Sequence, residues 1–311
     1  MKIAIAEKLR PFSHLPGAQC LLPGTSCLVQ AFPSLLRVGQ IEIPLGIEGP
    51  VENFTVQQDL EKNCVGVFGK KLRVKIQATP QGVEVGIGKN REFFPEKSLF
   101  FLPPAWERLS FGSHKAQDVD LMWRRFDLRE ILPILYGLGQ KIPPLPQRPH
   151  LLLEKTHDLP SWERFCKASL HSLFVPRLLD DQHQGLGLDA RGEGNPAYLL
   201  REAAMHLRSF FFRQEGNRLE LLPSPLFAAG RMVDVQVAGV GSLDLEWTKQ
   251  TLRRVHLRAS QTGEVALCLP PTIHAFLCKM RSQDKGTKHL VAEPFCIERG
   301  KTYFLDRFCE K

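Results

Sequence analysis

No apolar run in the chain approaches the ~18 residues that a membrane-spanning helix requires. Residues 1–10 also lack the roughly 7–15-residue apolar stretch of a secretion signal, so the expectation is a cytoplasmic protein with no membrane partner. The eight cysteines at 20, 27, 64, 166, 268, 278, 296 and 309 include no Cys-x-x-Cys pair and no zinc-ligand spacing, so no metal is expected. In a reducing compartment such residues serve as small buried hydrophobes, as Cys268 in its Val-Ala-Leu-Cys-Leu setting and Cys278 in Phe-Leu-Cys-Lys-Met should. Basic clusters are missing too. Lys70-Lys71, Arg124-Arg125 and Arg253-Arg254 are isolated doublets with no aromatic ladder beside them, so a net charge of +8 reads as a solvated surface rather than a nucleic-acid interface. The glycines of residues 82–88 and of Gly239-Val240-Gly241 sit on strand patterns with no helix behind them to hold a phosphate, and no Gly-x-Ser-x-Gly elbow occurs. No cofactor is therefore expected. There is no internal repeat and no low-complexity tract.

What is present is an ordinary globular composition, 43% apolar and 24% charged over 311 residues, with 23 prolines and 24 glycines that suit many short turns. Residues 2–6 alternate, and Pro16-Gly17 and Pro23-Gly24 bracket Cys20-Leu21-Leu22 before residues 26–32. Strands are expected over 54–60, 65–68, 72–78 and 83–87, the last two joined by the Thr79-Pro80-Gln81-Gly82 turn. Near Pro103-Pro104 the period changes. Residues 116–139 predict two consecutive helices or one kinked helix, with Asp127 and Glu130 as a capping box, Pro133 as a perturbation and Gly139 as a stop. A helix is expected over 161–174, burying Trp162, Phe165, Cys166, Leu170 and Leu173. Another is expected over 195–213, opened by Asn195-Pro196 and carrying Leu199, Leu207 and Phe211 on one face. Further short strands are expected at 264–269, 274–280, 295–297 and 303–305. The predicted fold is thus α+β and β-dominated: an N-terminal β-sandwich-like domain over 1–104, a short helical middle region over 105–215 and a small C-terminal β-sandwich over 216–311.

The run 218–259 is the most informative. In Ser242 to Trp247 the apolar residues Leu243, Leu245 and Trp247 fall on one face of a strand predicted to be half-buried. After Thr248-Lys249-Gln250-Thr251 the alternation resumes, with Val255, Leu257 and Ala259 inward and Arg254, His256 and Arg258 outward, which predicts a hairpin. Leu219-Glu220-Leu221-Leu222-Pro223, the small residues around Gly230, Gly239 and Gly241, and Asp244-Leu245-Glu246-Trp247 together resemble the opening of the C-terminal β-domain of fucosidase-type inverting glycoside hydrolases. In that family a Leu-Leu-Pro strand leaves an (α/α)6 barrel, and the order β-sandwich, helices, β-domain matches the order here. The resemblance implies a carbohydrate setting but carries no catalytic residue, and residues 105–215 are too few for the barrel at ordinary helix lengths. It therefore implies a reduced, non-catalytic glycan-binding relative.

The densest polar segment is 179–195, with Asp180, Asp181, His183, Asp189, Arg191 and Glu193 among four glycines. Three readings stay open: a solvated connection, a binding loop built on Asp180, His183, Asp189 and Arg191, or a glycosidase site with Asp181 and Glu193 as the carboxyl pair such chemistry needs. Trp106, after Pro103-Pro104, is the tryptophan best placed to stack on a sugar ring. Three functions follow: glycan binding, protein interaction or scaffolding through the β surfaces, and hydrolysis at the 180–193 loop.

Overall fold

A computed structural model describes residues 2–48, 50–95, 100–144, 153, 155–177, 197–281 and 283–310. It is an α+β protein dominated by antiparallel strands, in two compact units. One unit comprises 7–103 and 114–204; the other comprises 1–6, 104–113 and 205–311. Of the helical middle region, 114–204 belongs to the first unit, while 105–113 and 205–215 belong to the second.

The first unit opens with β1 (Phe12–Ser13), β2 (Ala18–Leu21), β3 (Leu28–Ala31), β4 (Leu35–Val38), β5 (Ile41–Pro44), β6 (Thr55–Asp59), β7 (Cys64–Gly69), β8 (Leu72–Thr79), β9 (Gly82–Ile87) and β10 (Asn90–Pro95). They form a six-stranded sheet, β1-β6-β7-β8-β9-β10, and a four-stranded sheet, β2-β3-β4-β5. Inward residues of both, among them Cys20, Val29 and Leu36 from one and Val56, Val67 and Ile76 from the other, share one core. This is the sandwich arrangement the alternation predicts. The prediction lacked β1, β4, β5 and β10, while residues 2–6, which alternate in sequence, form no strand.

The helices of this unit begin with α1 (Val119–Arg125) and α2 (Leu128–Gly139). Asp118 and Asp127 cap them, each carboxylate accepting from a first-turn amide. Only the Asp127 half of the expected capping box forms, because Glu130 turns to ion-pair with Arg125 at 2.5 Å and Lys115 at 3.1 Å. Apart from Arg129, α2 is buried on every side. Pro133 is tolerated within it: the carbonyl that loses an amide partner is that of Arg129, the exposed residue. Gly139 is not a left-handed stop but the last helical residue, and a side chain there would collide with the Leu200 carbonyl and the Ala204 methyl. In α3 (Leu159–Ser169), Asp158 and Ser161 form a reciprocal capping box. The helix ends at Ser169, short of the expected 174, because Leu170 is extended and Leu173 and Phe174 are left-handed. Leu170 and Leu173 are buried nonetheless.

The last helix, α4 (Ala197–Arg208), starts from Asn195 and Pro196, which lie outside the described residues. It stops five residues before the predicted Arg213. Phe211 and Phe210 leave the helix because their carbonyls accept from the amides of Leu222 and Ser224, and Phe212 opens a strand. Tertiary pairing has overridden the helical period.

The second unit holds β11 (Arg108–Ser110), β12 (Phe212–Glu215), β13 (Arg218–Leu221), β14 (Ala229–Val237), β15 (Gly241–Thr248), β16 (Thr251–Ala259), β17 (Gly263–Cys268), β18 (Ile273–Lys279), β19 (Thr287–Leu290), β20 (Phe295–Ile297) and β21 (Thr302–Glu310). A seven-stranded sheet runs β11-β14-β15-β16-β21-β18-β19, and a four-stranded one runs β12-β13-β17-β20 with β13 and β17 parallel. The predicted hairpin is β15–β16, closed by Lys249 and Gln250, both at positive φ. Its apolar face centres on Trp247, which stacks on Phe211 at 5.0 Å and donates its indole N–H to the Phe227 carbonyl. Gly230 is glycine because the Trp247 ring occupies the space a side chain would need.

Phe211 is fully buried in this aromatic cluster, with Phe111 at 5.7 Å. Phe211→Ala should therefore cost about 3–5 kcal/mol, read as a fall in the denaturant midpoint with an unchanged slope. An unchanged midpoint would remove Phe211 from the core.

Candidate functional site

Asp180, Asp181, His183, Asp189, Arg191 and Glu193 lie outside the described residues. Trp106 is half-buried, and the Arg108 guanidinium sits over its ring at 5.5 Å, so one partner for that aromatic face is already in place. Among the described residues no three His, Cys, Asp or Glu side chains gather as a metal-binding group, and no helix is long and apolar enough to cross a membrane.

The polar face of the seven-stranded sheet is where charge concentrates. The alternation predicts Asp244, Glu246, Arg254, His256 and Arg258 on the outward side, but Asp244, Glu246 and His256 are buried. Strand β15 is therefore buried on both faces, not one. Its carboxylates tolerate this because register supplies partners from both neighbouring strands. Arg231 and Arg254 stand opposite Glu246 and reach it at 3.0 and 2.5 Å. Asp244 is bonded by Arg258, lies 3.7 Å from His256 and accepts the Asp234 amide at 3.0 Å. Asp306 faces Arg254 in register and is held by Lys279 at 2.6 Å. Arg231, Glu246, Arg254, Asp306 and Lys279 thus form a row of alternating sign across five strands.

Burial alone would push the Asp244 carboxyl up, but hydrogen bonds from His256, Arg258 and the Asp234 amide, with the Arg258 charge, outweigh it and hold the pKa below the ordinary value. Glu246 follows the same pattern, burial opposing and its two arginines prevailing. Nearby, Glu107 is buried, accepts from Arg208 at 2.8 and 3.0 Å and also from the Gln236 amide. In the other unit, burial lowers the Lys141 ammonium to about 8 although Glu61 and Asp59 oppose the shift; its amine donates to Asn63 Oδ1 at 2.5 Å.

Concavities lined by described residues open on the second unit. One, of about 490 Å³, is lined by Arg213, Gln214, Glu215, Arg218 and Glu220 on β12 and β13. The other, of about 630 Å³, lies at the turn of the β15–β16 hairpin and is lined by Thr248, Lys249, Thr251, Leu252, Arg253, Arg254, Asp306, Arg307 and Phe308. The only signal of either in the sequence is the Leu219-Glu220-Leu221 alternation and the Arg253-Arg254 doublet. Fold and surface together define a β-rich protein with a charge-compensated sheet face and concavities lined by charged side chains. No protein-family model and no curated protein matches the chain.

Asp244→Asn should destabilise by about 1.5–3 kcal/mol, towards the lower end because a third of Arg258 is solvent-exposed. A carboxyl whose folded pKa lies below its unfolded value contributes stability above the unfolded pKa and loses it as pH falls through the folded one. Wild type should therefore lose stability on acidification below about pH 4, and the loss should be shallower in Asp244→Asn. Parallel acid limbs of the two stability curves would refute the assignment.

Proposed function

We propose that the protein is a carbohydrate-related binding protein acting without hydrolysis, and that its ligand sits on the outward face of β12 and β13. The observation that carries this reading is the chemistry of the 490 Å³ groove. Its two arginines and two glutamates balance in charge, and a fifth polar side chain, Gln214, completes the lining. Sugar hydroxyls both donate and accept, and guanidinium and carboxylate groups offer paired donors and paired acceptors to match them. The groove is also pre-organised. Arg213 Nε is tied to the Ser209 carbonyl and Arg218 Nε to Cys268 Sγ, while Gln214 exchanges hydrogen bonds with both backbone groups of Ala238. The strand that carries Arg218 and Glu220 is the Leu-Leu-Pro strand on which the fucosidase-type resemblance rests.

Asp244 and Glu246, held ionised by arginines, do not supply the protonated carboxyl that a glycosidase needs. The cytoplasm suits eight unpaired thiols, five of them buried. A protein-interaction role is the second reading. It is favoured by β10, the last strand of the six-stranded sheet, whose side chains are mostly exposed and whose Phe93 is 51% exposed. A free strand edge is a ready template for an extended partner segment.

On a glycan array the protein should bind one sugar class in a dose-dependent manner, and Arg218→Gln with Glu220→Gln should abolish the signal while the melting temperature holds. Silence across the array, with a protein partner recovered only when β10 is intact, would favour the second reading. No hydrolysis of aryl glycosides, fucosides included, should exceed that of the Asp181→Asn, Glu193→Gln double variant. Turnover by wild type alone would make the 180–193 loop an active site.

A further inference from the structure

The larger concavity differs in kind from the groove, and it arises from two irregularities on adjacent strands. On β16, Glu246 faces Arg254 but Trp247 faces Leu252, so Arg253 is an extra residue in the ladder. On β21, Asp306 faces Leu277 but Cys309 faces Ala275, which adds a residue at Arg307-Phe308, and Arg307 takes a left-handed conformation at φ 51°. Bulges of this sort re-aim side chains. Strands β16 and β21 are neighbours whose ladder ends at the pair of Arg254 with Asp306, and Arg253 and Arg307, the next residue on each strand, line the same concavity. Like charges placed opposite each other across an antiparallel pair repel.

Among the described residues no ion pair offsets that repulsion. Asp306 is the single carboxylate lining the concavity, and Lys279 already holds it. Arg254 is held by Glu246, with its Nη1 buried and unpartnered. Lys249, at positive φ in the hairpin turn, adds a third exposed cation. Among the described residues none of Lys249, Arg253 and Arg307 enters an ion pair. Thr248 and Thr251 line the same space and provide hydroxyls. At about 630 Å³ the concavity has the size of a small-molecule site.

We propose that this concavity is an oxyanion site for a phosphate monoester group, gripped by Arg253 and Arg307 with Lys249 as a third cation. Guanidinium groups match a phosphoryl face bidentately, and a dianion relieves the repulsion between the two arginines. The site is independent of the β12–β13 groove.

The test is titration of the whole chain with inorganic phosphate at constant ionic strength, followed by calorimetry and amide shifts. A parallel arm measures sedimentation with phosphatidylcholine vesicles containing or lacking a phosphoinositide. Saturable phosphate binding should weaken roughly tenfold or more in Arg253→Gln, Arg307→Gln and persist in Arg37→Gln, a surface change in the other unit. Phosphate binding without vesicle binding identifies a soluble phosphate ester; phosphoinositide-dependent sedimentation lost in the double variant identifies a lipid headgroup. Binding in neither arm, or binding that survives the double substitution, overturns the proposal. The ligand-free melting temperature at low salt is the structural control. It should hold or rise in the double variant as the repulsion is removed, and a fall would show that the arginines serve the fold instead. Loss of phosphate binding with the glycan signal intact would leave the groove reading untouched, and the converse holds equally.

Discussion

Two carboxylates on an interior strand of a sheet, both out of water, are the constraint around which the second unit is built. An isolated buried charge costs several kcal/mol, a large share of a domain's net stability, so Asp244 and Glu246 require cations at positions set by strand register. Arg231, Arg254 and Arg258 stand on the flanking strands, and the Asp234 amide completes the set through the bulge in β14. A one-residue slip of β15 would carry both carboxylates to the side of Trp247 and the tryptophan to the charged side. The ion pairs and the aromatic cluster of Trp247, Phe211, Phe111 and Phe227 therefore specify the same register from opposite faces.

The alternating row also explains why the two concavities differ. Where the ladder is regular, each charge meets its opposite and the surface is locally neutral, as on β12 and β13, where Arg213 faces Glu220 and Glu215 faces Arg218. Where bulges break the period on β16 and β21, the alternation fails and like charges collect. One surface is then locally neutral and the other carries an excess of positive charge. The same feature of strand geometry produces both.

In the first unit the governing constraint is close approach. Helix α2 is apolar nearly all round and buried accordingly, and Gly139 removes the side chain that would block the Leu200 carbonyl and Ala204. Lys141, two residues on, is drawn into the interior behind it, where desolvation lowers its pKa and Asn63 takes a hydrogen bond from its amine.

The sequence by itself determined the features set within a few residues: the β-dominated α+β class, the caps at Asp118, Asp127 and Asp158 of which Asp127 was legible, the β15–β16 hairpin with its Lys249-Gln250 turn, and the apolar faces of Leu243, Leu245, Trp247, Val255 and Leu257. Local period and turn chemistry encode these directly. Outward polar residues on β15 read as solvated because alternation reports only the difference between faces. Whether arginines from other strands cover Asp244 and Glu246 depends on pairings such as Arg231 with Glu246, which no local window contains. The end of α4 at Arg208 was decided the same way, by amides of Leu222 and Ser224 that capture Phe211 and Phe210. The concavity proposed as an oxyanion site is the furthest from legibility: Arg253 and Arg307 are 54 positions apart by their numbers, and only the antiparallel pairing of β16 with β21, each bulged against its other neighbour, brings them to one place.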